Sequence, residues 1–389
     1  MRLCNVFLLN QETPKKITIE NGVIQSVEHY DAATNPVKEK CSLYFDNAIA
    51  FAGLINSHDH LDFNLFPPLK NRFYNNYREW GKDIHINKKN EIDKILQVPQ
   101  QTRIAWGIYK NLLNGFTTVV NHGRKLEIKK ELINVFQNTC ALHSVGFEKK
   151  WKWKINNPFI KKLPVAMHIG EGIDKISHEE IDELINWNFL KKKLIAVHGV
   201  AMNIEQAEHF HALIWCPDSN YFLLKKTSAI DSLKYKTNII FGSDSTLTSN
   251  WNIWNHIRMA RNEKMLSDKE LFDSLTSKPA DVWGLENIGG LKNKMQADIV
   301  IAKKKTHLSD YNSFFALNPE DILLLMHRGN IRMFDAELEN HLDESNFTFA
   351  DFTKIRINGS LKYVEGNLSI LINEIKKYYP EAYFPFSLY

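Results

Sequence analysis

The sequence predicts an α/β protein: a (β/α)8-type TIM barrel with a small β-sandwich domain formed from both chain ends. Three observations predict it. From about residue 51 to residue 285, short apolar runs alternate with helical stretches, the pattern of parallel βαβ units. Strand-like segments lie on both sides of that region, so the economical organisation is one β domain built from both ends with the barrel inserted. Several of the apolar runs also end in histidine or aspartate, and parallel barrel strands bring their carboxyl ends to one rim.

In chain order, residues 3–9, 16–20 and 23–27 read as strands. Asn21-Gly22 is a hairpin signal between the last two. Residues 43–46 form a further run that leads into the apolar stretch 48–56. Seven candidate barrel strands follow, at 51–57, 117–121, 141–146, 164–168, 194–198, 213–216 and 238–242. Helical stretches lie between them at 101–113, 126–138, 179–188 and 204–210. Beyond Asp244 come helical segments at 253–262, 268–276 and 280–285, then strands at 298–302, 321–327 and 331–334. The domains implied are 1–50 with 286–345 for the β unit and 51–285 for the barrel. Residues 346–389 make a C-terminal extension, a terminal helix with flanking loops, packed on the barrel or the β unit.

Composition narrows the class. A chain of 389 residues exceeds what one core usually organises, and 44% hydrophobic with 24% charged residues is ordinary for a globular protein. The formal charge of +4 comes largely from short runs such as Lys191-Lys192-Lys193 and Lys303-Lys304-Lys305, which read as solvated turns. No nucleic-acid partner is expected, and no segment approaches the roughly 20 apolar residues of a membrane span. Cys4, Cys41, Cys140 and Cys216 are not closely paired, so they read as reduced, mostly buried thiols. The first residues lack a basic region and a cleavage site, and a cytoplasmic location follows by default.

The chemistry lies in Gly53-Leu-Ile-Asn-Ser-His58-Asp59-His60. Side chains alternate along a strand, so His58 and His60 share one face and Asp59 faces away. At the carboxyl end of a barrel strand that shared face is the active-site mouth, where two imidazoles suit Zn²⁺ or Fe²⁺. The same grammar recurs at Pro164-Val-Ala-Met-His168, Leu194-Ile-Ala-Val-His198 and Asn238-Ile-Ile-Phe-Gly-Ser-Asp244. Any one of these ends could be a satisfied structural histidine or a capping aspartate. Four in one alternating chain point to a metal site.

These motifs, with Gly115-Phe-Thr-Thr-Val-Val, Met167-His168-Ile-Gly-Glu171, Cys216-Pro-Asp-Ser-Asn220 and Ala297-Asp298-Ile-Val-Ile, resemble the amidohydrolase superfamily. The resemblance is to its branch of chlorohydrolases and guanine, cytosine and methylthioadenosine or S-adenosylhomocysteine deaminases. It covers most of the chain. It implies one divalent metal, Zn²⁺ favoured over Fe²⁺, held by His58, His60, His168 and Asp244, with His198 touching the metal or its water. It further implies a hydrolytic deaminase of a nitrogen heterocycle working through a single metal-bound hydroxide, with Asp244 as base and Glu171 as proton shuttle. The alternatives are hydrolysis of another C–N or C–Cl bond, or a scaffold that kept the fold without activity. The partner is a small molecule, and relatives suggest a homodimer.

Weaker candidates for substrate contact are His122, Asn220 and Trp80, the last in the aromatic stretch Phe73-Tyr74-Asn-Asn-Tyr77-Arg78-Glu-Trp80. The short interval between Gly146 and His168 departs from the family pattern, so the fourth βα unit is expected to be shortened, merged or absent. The basic, aromatic segment Glu148-Lys-Lys-Trp-Lys-Trp-Lys154 in that interval reads as a lysine-protected strand edge.

Overall fold

The computed structural model describes residues 1–31, 42–160, 162–345 and 347–389. Cys41 lies outside the described residues, as do the rest of 32–41 and Asn346, the first residue of the expected extension.

The chain opens with β1 (Arg2–Leu8), β2 (Pro14–Glu20), β3 (Val23–His29) and β4 (Ser42–Ala52). Asn21 (φ 50°) and Gly22 (φ 78°) make the two-residue turn joining β2 to β3, the backbone that such a hairpin demands. Any Cβ on Gly22 would lie 2.8 Å from the Arg328 carbonyl oxygen.

Two parallel sheets follow. One contains β5 (Leu54–Asp59), β6 (Phe116–Asn121) and β7 (Asn134–Phe136). The other contains β8 (Cys140–Ser144), β9 (Val165–Ile169), β10 (Leu194–His198), β11 (Ala212–Trp215) and β12 (Asn238–Phe241), each beside its predecessor. All residues of β5, β6, β9, β10 and β11 are buried, as in parallel strands covered on both faces. Just beyond β12, the Asp244 N–H donates to the His58 carbonyl of β5 at 3.0 Å, bringing the last strand of one sheet to the first of the other.

The remaining strands are β13 (Ile299–Lys303), β14 (Ile322–His327), β15 (Asn330–Asp335), β16 (Phe352–Ile357), β17 (Ser360–Glu365) and β18 (Ser387–Leu388). They join the opening strands in one ten-stranded sheet of order β18-β16-β17-β15-β14-β13-β4-β1-β2-β3. At its centre, β4 is parallel to β1 and antiparallel to β13. Alternation along β4 sends Ile49 and Phe51 into the core of the parallel sheets, while Ala48 and Ala50 face the core of the large sheet.

Five expectations need correction. The run 51–57 is two strands, because Phe51 and Ala52 close β4 and the chain changes sheet at Gly53. A side chain on Gly53 would collide with Thr117, 2.2 Å from its Oγ1. The helix at 126–138 is absent: Gln137 pins the loop through the Leu126 N–H and carbonyl (2.7 and 3.0 Å), and Asn134–Phe136 pairs with β6 as β7. β7 is the strand missing from the seven read in the sequence. No helix separates it from β8, so the abbreviated βα unit lies there, before the strand at Cys140–Ser144 rather than after it.

The segment 148–154 is no strand edge either, since Trp151–Ile155 is a helix with Trp151 and Ile155 buried one turn apart and Trp153 outward. Finally, the tail contains the β16–β17 hairpin ahead of its helix Leu368–Tyr378. The helices Gln100–Leu113, Lys175–Trp187 and Ile253–Asn262 fall where hydrophobic periodicity places them.

Candidate metal centre and active site

The carboxyl ends of four parallel strands meet at one spot. β5 delivers His58 and continues to His60, β9 delivers His168, β10 ends in His198, and Asp244 lies three residues past β12. The His168 Nε2 lies 3.1 Å from the His58 Nε2 and 3.3 Å from the His60 Nε2. Asp244 Oδ1 is 3.8 Å from the His58 Nε2 and 3.9 Å from the His60 Nε2. In the two triads His58/His60/His168 and His58/His198/Asp244, the ligand atoms lie within 4.8 Å of one another.

Burial pushes His58 and His168 well below the usual imidazole range, and the neighbouring histidines push them further. They are therefore neutral, the form that ligates a cation. Three imidazole nitrogens crowded on one carboxylate cannot satisfy one another with protons alone. The donor set is that of a divalent transition-metal site, and these residues fit one.

Asp244 is held in an uncommon backbone state, φ 57°. Its N–H binds His58, and its carbonyl accepts from the Lys110 ammonium (2.9 Å) and the Ser243 hydroxyl (2.9 Å). Its Oδ2 accepts from Ser219 (2.8 Å) and Thr248 (2.9 Å), and its Oδ1 from the Ser245 N–H (2.7 Å). Burial alone would raise this carboxyl, but His60, His198 and these donors outweigh it and hold the pKa below the usual range.

Asp59 points away from His58 and His60, as strand alternation requires. It anchors a buried network instead, accepting from Asn64 and Asn111 (both 2.8 Å) and from Lys110 (3.2 Å). The fully buried Lys110 thus ties the back of β5 to the Asp244 backbone.

His198 (φ 71°) also has a strained backbone. Its Nδ1 lies 2.9 Å from the Asn220 Oδ1, and the Asn220 amide nitrogen is committed to Thr227 at 3.1 Å. The asparagine therefore presents its oxygen, Nδ1 carries the proton, and the Nε2 lone pair faces the site. That Nε2 lies 3.7 Å from Glu171 Oε1 and 3.9 Å from Asp244 Oδ2. Burial drives the Glu171 carboxyl well above the usual range, with the negative charges of Asp244 and Glu180 adding to it.

The loop carrying Glu171 is latched to the helix Tyr77–Asn87. The Tyr77 N–H donates to the Glu171 carbonyl (3.0 Å), the Ile173 N–H to the Asn75 carbonyl (2.8 Å), and Asn76 bridges to Gly172.

These groups open on a cavity of about 570 Å³ lined by His60, His168, Glu171, His198 and Asp244 at its floor, with Phe63, Trp80, Ile84, Phe147 and Leu247 among its walls. Of the three residues marked for substrate contact, only Trp80 lines it, its indole N–H donating to the Leu69 carbonyl at 2.8 Å. His122 lies behind the cluster, its ring 4.4 Å from that of His168 and its Nε2 3.0 Å from the Leu142 carbonyl oxygen. Asn220 acts on His198 rather than on the cavity. Sequence reasoning passed over Thr248, Lys110 and His143. The last sits at the end of β8, where the same apolar-run-then-histidine pattern occurs in Ala141-Leu-His143.

A family model for the amidohydrolase family matches residues 161–332. A 5-methylthioadenosine/S-adenosylhomocysteine deaminase of Pyrococcus abyssi is 27% identical over 45% of this chain, and the match spans about half (47%) of that relative. An enzyme of the same description from Shouchella clausii is 23% identical over 85% of this chain and 93% of its own length. Among solved structures, a zinc-bound adenosine deaminase of Xanthomonas campestris aligns with a TM-score of 0.68 at 14% identity, covering 98% of both chains. The match of residues 161–332 to the amidohydrolase family is in keeping with the deaminase and chlorohydrolase branch that the motifs of the chain resemble.

Proposed function

We propose that this protein is a hydrolytic deaminase of a nitrogen heterocycle, with His58, His60, His168 and Asp244 holding one divalent cation, Zn²⁺ before Fe²⁺. In this reading the two parallel sheets are one barrel and the residues named are its rim. When bound, the cation supplies the Lewis acidity that brings a water's pKa toward 7.

The chain's own groups do the rest. Asp244 is the base, because a carboxylate held ionised beside the histidines can accept the proton of an attacking water. Glu171 is the acid, because a buried carboxyl kept protonated can give its proton to a ring nitrogen and then pass one to the departing amine. His198 stands between them, its Nε2 fixed by Asn220 to steady the attacked carbon's substituents. The observation that carries the reading is this pair of carboxyls on either side of the His198 Nε2, at 3.7 and 3.9 Å, displaced in opposite directions: Glu171 upward and Asp244 downward. Opposite displacement of two neighbouring acids separates an acid from a base.

The test is ammonia release from a panel of aminated purines, pyrimidines and imidazoles by the zinc- or iron-loaded protein. Release is expected for at least one class, and Glu171→Gln should lower kcat by about 10²–10⁴-fold without loss of metal. Ring opening without ammonia, or a Glu171→Gln variant of full activity, would overturn the assignment.

A further inference from the structure

The wall of the cavity is specific about what lies beyond the reacting ring. Its side chains are largely apolar, with Phe63, Trp80, Ile84, Phe147 and Leu247 facing the space above the cluster. At about 570 Å³ the space is in the middle of the range of ligand pockets (~300–1,000 Å³), and it has room for a substituent on the ring.

Lys82, His143 and Ser245 also line the wall, and four of its other polar groups have partners elsewhere. The Tyr77 hydroxyl accepts from the Gly146 N–H (2.8 Å) and lies 3.1 Å from Glu180. The Trp80 indole N–H serves Leu69, the Thr248 hydroxyl serves Asp244, and the His85 Nδ1 lies 2.9 Å from the Gly81 carbonyl. Among the described residues, the only carboxyls lining the cavity are Glu171 and Asp244, both on the floor, and no asparagine or glutamine lines it.

A sugar's vicinal hydroxyls are expensive to bury without acceptors, and a site that reads them needs a carboxylate or amide placed for the purpose. This wall has neither. An apolar or aromatic arm, in contrast, gains by leaving water, and it finds aromatic faces to pack on.

We infer that the substrate is an aminated heterocycle bearing an apolar substituent and no sugar, so that this cavity has turned away from nucleosides. The inference rests on the deaminase reading for the position of the reacting ring. Phe147, which is 42% exposed at the mouth and packs edge-on to Tyr77 at 5.2 Å, is the wall residue most directly placed to meet the outer part of such an arm.

The test uses the full zinc-loaded chain and two matched pairs, 9-benzyladenine against adenosine and 1-benzylcytosine against cytidine. Ammonia release gives kcat/KM. Calorimetry with the deaminated counterparts, such as 9-benzylhypoxanthine against inosine, gives affinity without turnover. The benzyl member of a pair is expected to lead by at least tenfold in both readouts, and Phe147→Ser should cut that lead over the nucleoside at least threefold.

A nucleoside that matches or beats its benzyl partner in kcat/KM would overturn the inference and leave the deaminase reading standing. If no compound releases ammonia but the benzyl product analogues bind preferentially and lose that preference in Phe147→Ser, the deaminase reading fails while the preference of this wall for an apolar arm over a sugar stands. Failure of every compound to bind overturns the inference.

Discussion

At the scale of single residues, the site is ordered because buried polar groups have assigned partners. His198 is the clearest case: its useful nitrogen is available only because Asn220 holds the other one, and Asn220 is itself oriented by Thr227. Removing such a partner typically costs about 10–100-fold in metal affinity or activity. Asn220→Ala should therefore lower kcat by about that factor with metal content unchanged, as checked by steady-state kinetics alongside metal analysis. Full activity in that variant would remove Asn220 from the positioning of His198. Much of this was readable in the sequence, since a histidine or aspartate closing an apolar run announces itself. What could not be read was direction. Nothing in the chain around His122 says that its ring turns to the Leu142 carbonyl, and Lys110 looks like any helix lysine until folding buries it against Asp59.

At the scale of elements, tight packing overrides propensity. Gly107 lies in the helix Gln100–Leu113, where alanine would ordinarily gain about 1 kcal/mol. Here a Cβ would lie 2.1 Å from the Leu61 carbonyl oxygen, so Gly107→Ala should destabilise by about 1–3 kcal/mol in urea unfolding, with stabilisation as the contrary result.

The helix Asp268–Asp273 gives a pH signature. Its Ser267/Glu270 capping box and Lys234 hold the Glu270 carboxyl down: burial opposes this, but the Ser267 N–H and the Lys234 ammonium prevail and bring the pKa from 4.5 to about 2. A folded-state value below the unfolded one means stability present above 4.5 and lost as pH falls toward about 2. Glu270→Gln should thus melt lower than the parent near neutrality, by a cap's worth of about 1 kcal/mol, with the gap closing over that acid window. A gap independent of pH would contradict it.

Periodicity placed the long helices and most strands. It failed where tertiary pairing decides, as at β7, whose three residues become a strand only because β6 lies alongside. The β16–β17 hairpin carries the same Asn-Gly signal at Asn358-Gly359 (φ 44° and 88°) that identified β2–β3, so that element was legible in the sequence.

At the scale of the whole molecule, the ten-stranded sheet draws both ends of the chain together, and β4 passes through Gly53 directly into the strand that carries His58 and His60. Four strand ends from distant stretches of sequence then converge on one carboxylate, a meeting that the recurring strand-end pattern predicts and that local propensity alone does not. No helix among the described residues is long and apolar enough to cross a membrane.

The central claim is that this convergence is a metal site, and the most direct test is elemental analysis of the purified protein after loading with Zn²⁺ or Fe²⁺ and desalting. The account predicts close to one ion per chain, abolished in a His58→Ala/His60→Ala variant that still melts cooperatively. A parent protein that retains no ion, or a double variant that binds as the parent does, would contradict it.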